Sequence, residues 1–374
     1  MNRRFVNLVT RNWAEGVYSV RRIDPSHLFY RSAKTALEAA DEAAKKKEYF
    51  PAMQTLQLPI PTMNFTTTPS GGRLNIFTLL STRATCEGRM VFANSIGEVV
   101  LYDADKQLLN TMGHLNQPKG INPMCVSIAH PGTDQDSLYV MDIYPGKAAD
   151  RCFEVLEYMP TCIELNDLMA TWRWRLLPPP PFVLQPGYEP STITSYTSIV
   201  NSYGCSTIYI SCEGDIGTYS FETARHDSRH RLGWRHSEEW KHVGKWKLPF
   251  NGGAQYVPEF NLWFGFSASR PNYLCAADLS DIVKDGQPTE RQVWQDLNPP
   301  EGEVWLPIKL KLLNMGDGKF LIAKTLEEEA TGERFAVLSG VEIMHGSGDG
   351  QSLQMVKHKC AYYTFTNDTI YWVL

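Results

Sequence analysis

Six times along the chain a short apolar strand runs into a single acidic residue, and a Trp- or Leu-containing stretch that ends in proline usually follows. Gly16-Val17-Tyr18-Ser19-Val20 leads to Asp24, Gly97 through Tyr102 to Asp103, and Cys152-Phe153 to Glu154. Gly217 through Phe221 leads to Glu222, Leu274 through Ala277 to Asp278, and Leu338 through Val341 to Glu342. These acids fall 79, 51, 68, 56 and 64 residues apart, against about 62 for one-sixth of the 374 residues. A unit of that length made of strands and turns cannot bury its apolar face alone and must stack on its neighbours. The period, somewhat above the roughly 50 residues of a kelch blade, predicts an all-β fold: a six-bladed, kelch-like β-propeller over residues 1–374 as one domain.

The only strong helical signal is an insertion at 33–48. Ser32 can cap it, Ala33, Leu37, Ala40 and Ala44 form a narrow apolar stripe, and Asp41/Lys45 and Glu42/Lys46 are i,i+4 pairs. It lies in the first unit, which explains why the first interval is the longest. Elsewhere strands alternate with turn residues. Hairpins are expected at Asn94 to Gly97, at Cys212 to Asp215 and at Asp317-Gly318, the last pair favouring a type I′ turn. Outer strands are expected at Leu56 to Pro59, Leu108 to Pro118, Trp172 to Pro178, Trp246 to Pro249, Val293 to Leu297 and Leu353 to Val356. Thr369 to Leu374 then remains as a strand to close the ring against the N-terminal blade.

A net charge of −5 gives no global field toward nucleic acid or anionic membrane. No apolar run approaches the roughly 20 residues of a membrane span. Eight scattered cysteines without a Cys-x-x-Cys pair are read as buried free thiols of a reducing compartment, the cytoplasm or nucleus. The basic N-terminus also suits an organellar transit peptide, although Phe5 to Val9 and Val17 to Ile23 read as the first strands of the repeat.

Several segments are recognisable together: Met1 through Val9, Leu28-Phe29-Tyr30, Leu101 through Asp105, Gly217 through Phe221, Trp246 through Phe250, Tyr256 through Phe266 and Met355 through Lys359. They resemble a plant family of domains of unknown function, expanded in grasses (the DUF1618 type) and described as kelch-like or galactose-oxidase-like. The resemblance covers essentially the whole chain and implies a propeller fold, but it carries no functional residues. Related F-box proteins have a three-helix F-box, whereas the first 60 residues here offer one short helix.

The densest polar feature is 225–247, read as a basic loop rich in His and Trp over 225–245. It holds four histidines, three tryptophans, and seven Lys or Arg against three acids. His226, Arg229, His230, Arg231, Trp234, Arg235 and His236 are the candidate partner-binding residues, since Arg and Trp anchor most interface hot spots. His226 and His230 at i,i+4 could face a metal, but the surrounding arginines oppose a cation. Asp134, Asp136 and Asp142 miss the spacing of a calcium loop. Gly346 through Gly350 lacks the lysine of a phosphate loop, and no Gly-x-Ser-x-Gly or His-Glu-x-x-His is present. His358 and Cys360 alternate on one strand face. No catalytic, cofactor or metal residue is assigned. The six marker acids are expected to hydrogen-bond turn amides. The sequence therefore points to a non-enzymatic, monomeric module that binds an unknown protein partner; the alternative is a propeller enzyme acting on carbohydrate or a small metabolite through channel carboxylates or a metal.

Overall fold

A computed structural model describes residues 3–45, 53–66, 72–80, 88–129, 135–147, 149–162, 168–226, 234–280, 282, 287–346 and 352–374. The fold is all-β, with 55% strand and 6% helix among the described residues. Its contacts divide it into two compact units, one of residues 1–66, 257–278 and 290–374, the other of residues 67–256 and 279–289.

In the first unit the N-terminal strands β1 (Val6–Asn12), β2 (Val17–Ile23), β3 (Gln54–Thr55) and β4 (Met63–Thr66) divide between two sheets. Later in the chain come β18 (Leu262–Ser267), β19 (Leu274–Ala277), β20 (Glu290–Trp294), β21 (Trp305–Gly316), β22 (Lys319–Glu328), β23 (Arg334–His345), β24 (Leu353–Thr364) and β25 (Asp368–Val373). One sheet has the order β25-β1-β2-β4, so the C-terminal strand pairs with the N-terminal one, Val9 opposite Trp372 and Arg11 opposite Thr369. The expected role of Thr369 to Leu374 as a partner for the first strands holds at this level. A second sheet runs β21-β22-β23-β24-β3, and β18, β19 and β20 form an antiparallel run.

The second unit contains β5 (Leu74–Leu79), β6 (Arg89–Asn94), β7 (Val99–Asp103) and β8 (Leu108–Thr111), paired in chain order. Next come β9 (Met124–Ala129), β10 (Asp136–Met141), β11 (Phe153–Cys162) and β12 (Leu168–Leu176), again an antiparallel meander. The strands β13 (Ile193–Val200), β14 (Ser206–Cys212), β15 (Thr218–His226) and β16 (Trp234–Gly244) form a third, and β17 (Phe250–Val257) joins β13 in parallel through Ser195/Gly252 and Tyr196/Gly253.

Period-2 alternation builds these sheets. In β13 the inward positions Ile193, Ser195 and Thr197 are buried while their neighbours are half-buried. Phe153, Val155, Ile208, Ile210 and Phe221 meet in one core of the second unit, and Val6, Leu8, Leu338, Ile370 and Val373 in one of the first. The two-residue loop between β21 and β22 is Asp317-Gly318, both at positive φ (55° and 70°), as a type I′ turn requires. A Cβ on Gly318 would lie 2.6 Å from the Ile343 carbonyl, so only glycine fits.

The helix α1 (Ala33–Lys45) matches the expected insertion, with Ser32 Oγ accepting from Thr35 N; 46–48 lie outside the described residues. Two expected outer strands are absent. Leu56 to Pro59 is not strand, because the short β3 pairs with β24 and Leu56 and Leu58 turn inward onto the Val6/Leu338 core. Trp246 to Pro249 is a connector, since the longer β16 already occupies that edge. Its carbonyl at Trp246 accepts from Thr218 Oγ1 and its Leu248 amide donates to Ser211 Oγ, which spends those groups on hydroxyls rather than a ladder.

Candidate interaction site

Where it is described, much of the basic segment is strand rather than loop. Residues 225–226 end β15 and 234–244 form β16, so the composition builds a long hairpin whose last described pair is His226 opposite Trp234. Arg229, His230 and Arg231 lie outside the described residues, between these strands. Alternating side chains of strand period, Trp234/His236 and Trp240/His242, made this edge strand legible in retrospect; charge density masked it.

The root of the hairpin is fixed by packing and by ion pairs. Trp240 lies against Phe153 and Phe221, with ring centroids 5.7 Å and 4.9 Å away, and donates its indole N–H to the Pro178 carbonyl at 2.8 Å. Pro178 opens the stiff run of four prolines, so the hairpin is held against a rigid connector. Further along, Arg175 on β12 donates Nε and Nη2 to Glu157 on β11 at 3.0 and 2.9 Å, a bidentate pair, and Nη1 to Glu238 on β16 at 2.5 Å. Burial opposes the charge on Arg175, but the Glu157 hydrogen bonds and the two carboxylates outweigh it and raise its pKa. His236 Nε2 sits 3.8 Å from Glu157 Oε1.

Glu238 reaches Arg175 because β16 bulges there. Glu222 is opposite Glu239 and Ala224 opposite His236, which leaves an extra residue on β16, and Glu238 takes the left-handed conformation at φ 55°. The bulge re-aims its carboxylate toward the neighbouring sheet. On the other side of the hairpin Arg225 bridges Glu222 (2.7 Å) and Glu239 (3.0 Å), and Ser237 Oγ donates to Glu222 at 2.5 Å. Burial would raise the Glu222 pKa, but the hydrogen bonds from Arg225 and Ser237 reverse the sign and hold it below the ordinary carboxylate value. The net positive charge read from composition is thus partly neutralised at the root by an acid outside the segment, Glu222, which pairs with Arg225.

The structure brings His236 to Glu157 and places Arg235 opposite Arg225. Arg175, Glu157 and Glu238 were missed as a cluster. The signal was faint: Phe153, Val155 and Glu157 alternate on one face of β11, and Arg173 and Arg175 on one face of β12, but the Glu157–Arg175 contact exists only at the observed register.

The marker acids divide into three groups. Asp24 and Asp103 accept from following amides, Ser26, and Asp105 and Lys106, as expected. Glu154 accepts from the Asn116 and Gln117 amides but also holds buried Lys119. Glu222, Asp278 and Glu342 instead pair with Arg225, Arg291 and Lys319. The longer side chains of Glu222 and Glu342 reach a neighbouring cation, and the shorter Asp278 does so because Arg291 lies on the adjacent strand β20. Glu342 also meets His358 Nε2 at 3.0 Å, while His358 Nδ1 accepts the Tyr30 amide at 3.0 Å; the neutral Nε2–H tautomer satisfies both. Among the described residues, no group of three or more His, Cys, Asp or Glu could hold a metal ion. Six described cysteines are free thiols, five of them buried.

Four-stranded antiparallel sheets joined in chain order, almost without helix, define an all-β meander-repeat protein. The chain belongs to DUF1668, a family of proteins of unknown function, which it matches over residues 3–363; the motif resemblance pointed to the DUF1618 type. No curated protein matches. Among solved structures it is similar to the WD40 domain of SCAP from fission yeast, at 10% identity and a TM-score of 0.34, covering 97% of this chain and 75% of that one. Dihydro-heme d1 dehydrogenase NirN in complex with DHE gives 9% and 0.37, with 97% and 76% covered. AztD from Citrobacter koseri gives 10% and 0.33, with 96% and 90% covered. Likenesses this low leave the chemistry to be read from the chain's own residues.

Proposed function

We propose that this chain is a non-enzymatic interaction scaffold whose partner-binding surface includes the β15–β16 hairpin. On this reading residues 1–374 form one six-bladed, kelch-like propeller, monomeric, in the cytoplasm or nucleus of a plant cell. Repetition of four-stranded meanders in chain order, one marker acid to each sequence unit, supports the blade count.

One observation carries the functional reading. The hairpin is anchored at its root by Trp240 and Arg175, and the paired strands carry Arg225 and Arg235 beyond that root, so a partner would meet an arm with a held base. Pre-organisation lowers the entropic cost of association, and planar cations beside aromatics supply most hot-spot affinity. The marker acids support a structural role for themselves, each being engaged by turn amides or a cation.

The test compares the tagged wild type with a variant carrying Arg229→Ala, Arg231→Ala, Trp234→Ala and Arg235→Ala in capture from plant extract. The expected result is an unchanged thermal midpoint and loss of the captured partners. Recovery of the same partners at the same yield would remove the hairpin from the binding surface.

A further inference from the structure

The first unit carries a second polar feature, built around the C-terminal strand. Lys309 on β21 places its Nζ 4.0 Å from the Tyr371 ring centroid and 4.5 Å from that of Trp372, and donates to the Tyr371 carbonyl at 3.1 Å. Arg11 on β1 lies over Trp13, its Cζ 3.7 Å from the ring centroid, and 5.3 Å from that of Tyr18. The rings join the two cations: Trp13 and Tyr18 both meet Tyr371 edge-on, at 6.4 and 6.0 Å.

Among the described residues neither cation has a carboxylate. Arg11 Nε and Nη1 are buried and make no hydrogen bond, which leaves two directed donors unused. The one acid on β25, Asp368, is engaged by Arg21 at 3.3 Å. Thr325, opposite Lys309 on β22, is uncharged. A buried guanidinium with unmade hydrogen bonds costs free energy, and aromatic faces offset only part of it. The missing component is a negative charge with lone pairs.

We propose that Arg11 and Lys309, with the Trp13/Tyr18/Tyr371/Trp372 rings around them, form a binding site for a small oxyanion, a carboxylate or a tetrahedral group such as sulfate or a phosphate. Arg11 donates to it through Nε and Nη1, and Lys309 supplies a second positive charge beside the Tyr371 ring. The site is independent of the hairpin. Burial pushes Lys309 down to about 8, with no acid to offset it, so a bound anion stabilises its protonated form. Binding above that pH must take up a proton, and affinity falls as pH rises from 7 to 9.

Titration calorimetry on the full chain tests this with sulfate and, separately, benzoate, both of constant charge over this range, at ionic strength matched with sodium chloride. Saturable one-site binding by sulfate alone assigns a tetrahedral ligand, and by benzoate alone a carboxylate. Either should weaken at least tenfold in Arg11→Gln and in Lys309→Met, whose stem keeps the aromatic packing. Binding unchanged in both variants would overturn the proposal, as would no saturable heat from either anion at millimolar concentration. If a variant fails to fold, the wild type alone decides: affinity independent of pH between 7 and 9 contradicts a role for Lys309.

Discussion

Glu154 on β11 and Lys119, from the connection before β9, form an ion pair from which both side chains exclude solvent. Every strong partner is present. Lys119 Nζ also donates to the Gln117 and Arg151 carbonyls at 2.6 and 2.9 Å, and Glu154 accepts the Asn116 and Gln117 amides and the Asn116 side chain. Burial lowers the Lys119 pKa, opposed by the Glu154 hydrogen bond. Removing one partner strands the other: Glu154→Gln should destabilise the protein by about 3–5 kcal/mol in urea unfolding. Glu154→Leu with Lys119→Met should cost less than the single change, because no charge is left uncompensated. A single substitution costing under about 1 kcal/mol, the worth of a surface pair, would contradict the buried geometry.

Arg175 is a third exposed, so its pair with Glu157 sits between the surface and buried limits. Arg175→Met should cost about 2 kcal/mol, mostly through the abandoned Glu157 carboxylate, with a smaller loss of about 1 kcal/mol for Glu238→Gln. Both should raise amide exchange over residues 234–240. Equal protection in wild type and variants would show that the ion pairs do not fix the hairpin root.

His358 carries a pH prediction. Burial lowers its pKa below the ordinary 6.5, although Glu342 opposes the shift, and Lys319 and Lys359 add to it. The unfolded chain therefore binds a proton that the folded chain refuses. The stability that neutral His358 contributes is complete above pH 6.5 and is lost as pH falls through its lower native pKa. Protonation also ends acceptance of the Tyr30 amide by Nδ1. Thermal midpoints of wild type and His358→Gln should converge between pH 7.5 and 5; a gap independent of pH would contradict this linkage.

Much of the sheet framework was legible, because alternation and turn chemistry are local. Asp317-Gly318, the helix from Ala33 and the strand after Asn367 all follow from neighbours within a few residues. Trp246 to Pro249 reads as a strand by the same rule and is not one, since β16 takes the edge first and Ser211 and Thr218 bind its backbone. The Arg175–Glu157–Glu238 cluster was not legible. It depends on the register of β11 with β12 and on a bulge in β16, both set by tertiary pairing. Arg11 and Lys309 lie almost 300 residues apart in sequence, and only the pairing of β25 with β1 brings the Trp13 and Tyr18 rings under Arg11 to the Tyr371 ring under Lys309.

The buried thiols offer a simple check of the cores. Burial pushes Cys152 and Cys212 up to about 12, which leaves almost no thiolate at neutral pH. Neither should react with a disulfide reagent in the native protein, and both should react once it is unfolded in denaturant. Fast native labelling of either, located by peptide mapping, would contradict the core packing.

On the proposed reading the β15–β16 hairpin meets a partner. Hydrogen exchange of the wild type, free and bound to the protein it captures most strongly, measures this directly. Added protection is expected across residues 225–240, centred on the Trp234 end. Protection confined to other strands, with the hairpin exchanging at its free rate, would contradict it.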